Sequence, residues 1–376
     1  MKKYPFCLFG ILFALPLLVM GQARIQLDNP AVMARTEEVV SVPWKTILSV
    51  YPDIDSGYFA VIDPVTKKQV PYQLEYKGHP VVQNLLVQVS MPAKSKLLLA
   101  IKKMKPEVFP AKTYCRYVPE RKDDFAWEND RIAFRAYGKA LENTVEDAYG
   151  LDVWVKRTSE LVLNKRYKLG DYHNDHGDGM DYYHVGFSLG AGNVAPYVND
   201  SIWYSHNYRN WKILDNGPLR TSFELEFDTW TVGDKKIKAI KSFSIDAGAQ
   251  MHKVAVTYFF DGSEALPVVV GIIKRDQPGE SWLSEQEGMM GYWEPKDGSN
   301  GTTGVGCVFS APVQAMMIRN GQFLSLQQAR SGEPLVYYRG AAWDKAGRIT
   351  SASEWFKHIR QYQQQLNSPI RVTVQR

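Results

Sequence analysis

Short strands of alternating apolar and polar residues dominate this chain and restrict the folds open to it. From Phe125 onward the alternation recurs, as in residues 131–137, 151–156 and 221–227, and it places successive side chains on opposite faces of a sheet. Residues 232–235 have the composition of a tight hairpin turn. Strand spacing this regular over about 250 residues predicts an all-β domain of two large antiparallel sheets packed face to face.

A smaller unit precedes this domain. Residues 38–42 and 85–89 have strand-like patterns, and a small N-terminal β-sandwich over residues 24–120 fits them. A charged and irregular stretch follows, which is typical of a domain boundary. The larger domain is therefore predicted over residues 124–374.

One helix is predicted near the C-terminal end of the chain. Ser351 and Glu354 have the spacing of a capping box at a helix N-terminus. The apolar residues after them fall on one helical face: Trp355, Ile359, Tyr362 and Leu366. This face indicates a packing role and not a chemical one.

The first residues have the pattern of an export signal. Lys2 and Lys3 precede an apolar run over residues 6–20, and small residues follow it. The run is short for a membrane span, so a signal peptide over residues 1–23 is predicted. No later segment is long and apolar enough to cross a bilayer. We therefore expect a periplasmic or secreted protein that does not stay in the membrane.

Composition narrows the partners of the chain. The formal net charge is +5, which gives no support for nucleic-acid binding and only faint support for acidic glycans. The 10 Trp, 21 Tyr and 16 Phe residues suit sugar stacking, but an all-β core is also rich in aromatic residues. Cys115 and Cys307 could pair in an oxidising compartment or stay buried and free.

Residues 171–184 are the strongest candidate for chemistry. They hold His173, His176 and His184 together with four aspartates, three tyrosines and two glycines. No apolar periodicity organises them, so they cannot build a core. Histidine and carboxylate side chains are the usual proton carriers and metal ligands, and tyrosine can donate a proton. The pattern predicts a functional loop.

A metal is a second interpretation of the same segment. His173, Asp175, His176 and Asp181 are ligand types that would suit zinc or another divalent ion. Their spacing matches no standard metal signature. The sequence therefore does not decide whether the protein binds a metal cofactor.

Other candidate binding residues lie outside this segment, except for Asp181 within it. Arg131, Arg135 and Arg220 could each pair with a carboxylate through two hydrogen bonds. The remaining candidates for sugar contacts are aromatic, imidazole or carboxylate side chains: Trp127, Trp154, Asp181, His206, Tyr208 and Trp293.

Four separated motifs then carry a resemblance. They are residues 124–135 (DFAWENDRIAFR), 172–179 (YHNDHGDG), 216–221 (NGPLRT) and 342–347 (AWDKAG). Over nearly the whole chain they resemble an uncharacterised "domain of unknown function" family of exported proteins from glycan-degrading bacteria. That family is similar to the galactose-mutarotase-like supersandwich, a fold that sugar epimerases, several glycoside hydrolases and polysaccharide lyases share. The resemblance implies this fold and a role with polysaccharides, often uronic-acid glycans, but no particular reaction.

A lyase acting on a uronic-acid glycan is the leading hypothesis. Elimination needs a group that neutralises the uronate, a base for the C5 proton and an acid for the departing oxygen. The candidates are Arg135 or Arg220 for the first role and His173 or His176 for the second. Tyr182 or Tyr183 would fill the third.

Three alternatives stay open. A glycoside hydrolase would need two carboxylates about 5–10 Å apart, and nothing in the sequence pairs any two. A mutarotase or epimerase would use a histidine acid and a carboxylate base at the sugar ring. A glycan-binding protein without turnover would use the aromatic residues alone.

Overall fold

A computed structural model of the protein describes residues 23–376. The predicted signal peptide therefore lies outside the described residues, apart from Ala23. Among residues 23–376, no helix combines the length and apolar character that a membrane crossing requires.

Strands are the predominant regular structure of the described chain. In chain order they are β1 (Ala23–Asp28), β2 (Arg35–Pro43), β3 (Ala60–Ile62), β4 (Tyr72–Glu75), β5 (Asn84–Met91), β6 (Lys96–Lys102), β7 (Thr113–Val118), β8 (Asp124–Asn129), β9 (Ala133–Ala136), β10 (Leu151–Lys156), β11 (Gly179–Met180), β12 (Ala191–Val198), β13 (Ser201–Ile202), β14 (Asn210–Asn216), β15 (Arg220–Val232), β16 (Lys235–Asp246), β17 (Met251–Phe259), β18 (Leu266–Ile273), β19 (Glu280–Ser284), β20 (Met289–Trp293), β21 (Thr303–Phe309), β22 (Ala315–Arg319), β23 (Gln322–Ala329), β24 (Pro334–Trp343) and β25 (Arg371–Gln375). The helices are α1 (Trp44–Val50), α2 (Leu163–Leu169) and α3 (Ala352–Asn367). Short 3₁₀ turns lie at Pro119–Arg121, Lys139–Leu141 and Asp344–Ala346.

The N-terminal unit is a β-sandwich. Its sheets have the strand orders β25-β1-β6-β3 and β2-β5-β4. Alternate residues of β1 point inward, and Ile25 packs with Val42 and Leu85 of the opposite sheet. The outer neighbour of β1 is β25, with Ile25 opposite Val374. The last strand of the chain therefore belongs to the first unit and not to the larger domain, where the sequence boundary at residue 374 placed it.

The larger domain is an antiparallel supersandwich. Its main sheet has eight strands in the order β14-β15-β16-β17-β24-β21-β20-β19. Two five-stranded sheets, β11-β10-β9-β8-β7 and β13-β12-β18-β23-β22, pack against one face of it. Phe125 meets Phe223 across this interface, with ring centroids 4.4 Å apart. The predicted class, an N-terminal sandwich followed by a supersandwich with a C-terminal helix, is confirmed.

Helix α3 covers the other face of the main sheet. As predicted, Ser351 caps it, accepting a hydrogen bond from the backbone N–H of Glu354 at 3.4 Å. Trp355 and Ile359 are fully buried. Gly306 allows this close approach, because a Cβ there would lie 2.4 Å from Ile359 Cδ1.

Alternation along β8, β9 and β10 divides their side chains into two sets. Phe125, Trp127 and Phe134 face the sandwich core. The opposite face carries polar residues, among them Asp124, Arg135, Asp152 and Lys156, which are nevertheless buried. Helix α2 and the histidine-rich segment lie over this polar face. The sheet thus places charged groups directly beneath the segment that the sequence marks for chemistry.

Ion pairs join the two domains. Arg220 binds Asp246 through two bonds of 2.5 Å and 2.7 Å, and its Nη1 is 2.9 Å from Glu75 Oε1 of the N-terminal sandwich. A second ion pair across the interface joins Arg131 of the larger domain to Glu37 of the N-terminal sandwich. Arg220 therefore serves the interface, and its guanidinium is not free to neutralise a uronate as the sequence analysis expected.

The interface generates a stability prediction. Arg220→Met should lower the free energy of unfolding by about 3 kcal/mol, because it strands the buried carboxylate of Glu75 without its partner. Urea denaturation followed by circular dichroism measures the loss. Arg330→Met, a matched change at an exposed arginine, should stay within about 0.5 kcal/mol of the unmodified protein. An Arg220→Met protein as stable as this control would contradict the role assigned to the interface.

Candidate functional site

The histidine-rich segment is anchored to the polar face of β10 at two points. Tyr172 is buried and stacks on Trp154, with ring centroids 4.7 Å apart. Gly179 has a φ of +110°, and a Cβ there would lie 2.1 Å from the backbone oxygen of Val155. Only glycine fits this contact. The backbone of the segment therefore lies directly against β10 at Gly179.

A buried ionic cluster lies beneath the segment. Arg135 Nη2 is 2.5 Å from Asp152 Oδ2 and 2.9 Å from Asp181 Oδ2. Its Nη1 is 3.6 Å from Asp124 Oδ2. All four side chains are at most 4% exposed. Arg135 is therefore committed to protein carboxylates and is closed to a substrate uronate, which corrects its predicted role. Asp181 likewise anchors the segment and does not face a sugar.

The carboxylates outnumber the positive charges of this cluster. Burial raises the pKa of Asp124 to about 7, and burial also raises the pKa values of Asp152 and Asp181. Burial opposes the charge of Arg135, but the neighbouring carboxylates outweigh it and raise its pKa. Arg121 adds a second positive charge 3.5 Å from Asp124. Since two guanidinium groups do not balance three carboxylates, the cluster keeps a proton near neutral pH.

The histidines lie on the solvent side of the cluster. His173 Nδ1 is 2.9 Å from the backbone oxygen of Asp181, and its side chain is 64% exposed. A carbonyl oxygen only accepts hydrogen bonds, so in the neutral ring Nδ1 carries the proton and Nε2 keeps its lone pair. His176 Nε2 instead bonds to the backbone and side-chain oxygens of Asp171. His173 therefore presents a base to solvent, whereas His176 is held within its own loop.

The predicted metal ligands do not converge. Asp175 pairs with Arg157, and Asp181 belongs to the buried cluster. His173 and His176 bind different groups, as described above. Within the chain from residue 23 to residue 376, no three His, Cys, Asp or Glu side chains lie close enough together to share a metal ion.

A second polar cluster forms where the segment leaves the sheet. Arg275, just after β18, donates from Nη1 to the backbone oxygen of His184 at 2.6 Å, and its Nε is 2.7 Å from Glu294 Oε1. Thr303 accepts from the backbone N–H of Glu294 at 3.0 Å and donates from Oγ1 to the hydroxyl of Tyr182 at 2.7 Å. We name these five residues the Arg275 site. The Arg275 side chain is 17% exposed and His184 is exposed, so the site reaches solvent.

The environment of Glu294 favours its neutral form. The side chain is 7% exposed, and burial raises its pKa to about 7 although Arg275 opposes the shift. Burial also raises the pKa of the half-buried Tyr182. Tyr183 is buried, with the guanidinium of Arg275 4.8 Å from its ring centre. The site can thus supply a positive charge, a neutral carboxyl group and a phenol from residues bonded to one another.

Several candidate sugar-binding residues lie in the interior. Trp127 and Trp154 are fully buried, and Tyr208 is 3% exposed with its hydroxyl bonded to the backbone oxygen of Asp123 at 2.5 Å. Their rings are covered by protein, so we place them in the core rather than at a sugar surface. Trp293 is also buried and packs under α3, next to Glu294 in the chain.

The other candidates lie away from both clusters. His206 is 63% exposed, with Nδ1 3.8 Å from Glu142 Oε2. Arg131 and Arg220 belong to the domain interface, where a groove of about 660 Å³ opens. Aromatic and polar side chains line that groove, including Tyr72, Tyr76, Phe109 and Asn216. Cys115 and Cys307 are buried and free, which decides the question that the sequence left open.

Sequence reasoning missed Arg275 and Thr303. Arg275 stands at the end of the apolar strand Leu266–Ile273, where a charged residue could have drawn attention. No sequence pattern marked Thr303 as a site residue. Its contacts with Glu294 and Tyr182 depend on the pairing of β20 with β21.

Glu294 generates a pH-dependent stability prediction. Its folded pKa is about 7, above the ordinary value of 4.5, so its stabilising contribution is fully present below about pH 4.5 and is lost as the pH rises through 7. Glu294→Gln removes this titration, so the stability difference between the two proteins should change by about 3 kcal/mol over that range. Urea denaturation at a series of pH values measures it. The exposed Glu280→Gln serves as control, and a pH-independent difference for Glu294→Gln would refute the assignment.

Comparisons with solved structures agree with the fold. The chain matches a glycosyl hydrolase family 38 protein from Enterococcus faecalis with a TM-score of 0.57 and 12% identity, over 95% of this chain and 48% of that one. An alpha-mannosidase from Enterococcus faecalis V583 gives a TM-score of 0.55 and 10% identity, over 94% and 46% of the two chains. The chain spans about half the length of these proteins, and at such identity the likeness concerns the fold alone.

Sequence comparisons identify the family. The uncharacterised protein P7 of Formosa agariphila is 33% identical over 279 residues, which cover 70% of each chain. The model of the family described as "Domain of unknown function (DUF4861)" matches residues 27–372. The resemblance seen in the four sequence motifs is thereby confirmed, and the chain belongs to this family of unknown function.

Proposed function

We propose that this protein is a carbohydrate-active enzyme that cleaves a uronic-acid-containing oligosaccharide by β-elimination at the Arg275 site. The observation that carries the proposal is the set of Arg275, Glu294, Thr303 and Tyr182, which hydrogen bonds connect, with the exposed His184 bound to it through its backbone oxygen. The fold supports a sugar substrate, since its solved neighbours are a glycosyl hydrolase family 38 protein and an alpha-mannosidase.

Neutralisation of the uronate is assigned to Arg275 and Glu294. An unassisted C5–H is far too weak an acid for a base near neutral pH, so the carboxylate next to it must be neutralised first. Arg275 offers a guanidinium on a side chain that is 17% exposed. Glu294, whose pKa burial raises to about 7, can donate a hydrogen bond to the uronate while it is neutral. These two groups take the role that the sequence analysis gave to Arg135 or Arg220, whose guanidinium groups pair with carboxylates of the protein.

Proton transfer is assigned to His173 and Tyr182. His173 Nε2 takes the C5 proton, and the electron pair of that bond forms the C4–C5 double bond as the glycosidic C4–O bond breaks. Tyr182 gives its phenolic proton to the departing oxygen. Thr303 donates to the Tyr182 oxygen, so the phenolic proton points to another acceptor. Solvent returns a proton to Tyr182 and accepts the one on His173, which completes the cycle.

Hydrolysis is the second candidate. Asp297 lies near enough to Glu294 and Tyr182 that its charge raises the pKa of both groups. A neutral Glu294 and an exposed Asp297 would form the acid and carboxylate pair that glycoside hydrolysis requires. New reducing ends without an unsaturated product would favour this reaction.

The direct test is an activity assay on a panel of uronic-acid oligosaccharides. Elimination produces an unsaturated uronide, which absorbs in the ultraviolet. Arg275→Met should lower kcat/KM by roughly a thousandfold, because the carboxylate loses its counter-charge. His173→Ala should lower kcat by roughly a hundredfold or more, with a smaller change in KM.

Matched variants complete this test. His79→Ala, a change at an exposed histidine of the N-terminal domain, should retain full activity. His184→Ala tests the imidazole of the Arg275 site itself, and a larger loss of activity in this variant than in His173→Ala would assign the base to His184. Binding of oligosaccharides without any product would contradict the enzymatic proposal altogether.

The pH profile gives an independent prediction. Activity should fall above about pH 7, because ionised Glu294 can no longer donate a hydrogen bond to the uronate. Glu294→Gln keeps a neutral donor and should remove that alkaline limb while retaining measurable turnover. Initial rates from about pH 5 to 9 test this. An unchanged limb in the Glu294→Gln protein would assign it to another group.

A further inference from the structure

A row of polar side chains crosses the interior of the supersandwich. Arg339 of β24 lies opposite His252 of β17 on one side and opposite Cys307 of β21 on the other. Arg339 and Cys307 are fully buried, and His252 is 2% exposed. All three face the core, where Phe134 of the opposing sheet contacts Arg339 and His252 at ring-centre distances of 4.4 Å and 4.6 Å.

The donors of this row find no acceptors in the protein. Among the residues that the structure describes, neither Arg339 Nε nor its two Nη atoms has a hydrogen-bond partner, and the same holds for both ring nitrogens of His252. Burial lowers the pKa of His252 well below its usual value, so its ring is neutral and supplies one donor nitrogen. Trp127 Nε1 and the hydroxyl of Tyr183, which also belong to this core, share that condition. Buried polar groups almost always find partners, so this concentration of donors indicates a ligand that accepts hydrogen bonds.

The charge of Arg339 limits what that ligand can be. Burial lowers the pKa of Arg339 to about 10, so the side chain is still a cation near neutral pH. Burial raises the pKa of Cys307 to about 12 and that of Tyr183 well above its usual range, so neither is an anion. The nearby Asp152 already pairs with Arg135. A buried cation without a counter-ion is costly, and neutral water would satisfy the donors but leave the charge.

We propose that Arg339 and His252 bind a small monovalent inorganic anion, of the size and charge of chloride, inside the supersandwich. The ring of Phe134 and the indole of Trp127 form apolar walls, which favour a weakly hydrated halide over a strongly hydrated divalent oxyanion. Tyr183 is close to both arginines, since the charges of Arg275 and Arg339 each act on the pKa of its phenol. The anion site nevertheless rests on its own contacts and does not depend on the elimination proposed above.

Thermal unfolding in different salts tests the site. The melting temperature of the full chain should rise with the logarithm of chloride or bromide concentration, at an ionic strength held constant with gluconate. Arg339→Met should abolish this dependence, whereas Arg330→Met, at an exposed arginine, should retain it. Equal melting temperatures in chloride and gluconate would overturn the proposal, and so would an Arg339→Met protein that keeps the halide dependence.

A second measurement covers the case in which Arg339→Met fails to fold. Crystals of the unmodified protein soaked in bromide should give an anomalous scattering peak within hydrogen-bonding distance of Arg339. Bromide peaks confined to the protein surface would overturn the proposal.

Discussion

The guanidinium of Arg135 is the interaction on which the candidate site depends. Arg135 lies on β9 and joins Asp124 of β8 and Asp152 of β10, the strands on either side of it, to Asp181 of the histidine-rich segment. That third bond acts together with the stacking of Tyr172 on Trp154 and the pairing of β11 with β10 to hold the segment against the sheet. In this buried cluster three carboxylates face two guanidinium groups. Taking charges out of water is costly, so removing Arg135 from such a cluster would leave an uncompensated buried charge.

The position of the Arg275 site follows from this anchoring. Asp181 is bound to the sheet, so Tyr182, Tyr183 and His184 must emerge at the adjoining end of the supersandwich. There they meet Arg275 and the end of β20. The side chain of His184 stays exposed, while its backbone oxygen accepts the hydrogen bond from Arg275. Chemistry on a sugar would thus take place at the end of the sandwich, between a segment held by charge and a hairpin held by strand pairing.

Alternation along the strands predicted the fold well, because the period of two follows directly from which face of a sheet is buried. The helix cap at Ser351 and the apolar face of α3 were equally visible. The site was harder to predict. The sequence indicated the segment but assigned Arg135 to substrate, since pairing with three carboxylates becomes visible only when β8, β9 and β10 lie side by side. Trp127 and Trp154 show the same limit: an aromatic ring in a β-rich chain can serve a sugar or a core, and only the register of the sheets distinguishes the two.

The pairing of β25 with β1 has a consequence for synthesis. As the ribosome releases the N-terminal sandwich, one edge of β1 has no partner until residues 371–375 emerge, nearly the full length of the chain later. An open strand edge is prone to pair with other chains, and contacts this distant in sequence form slowly. The first domain to be made is therefore among the last to be completed. Until β25 pairs with β1, a chaperone that covers the open edge of β1 would protect the domain from pairing with other chains.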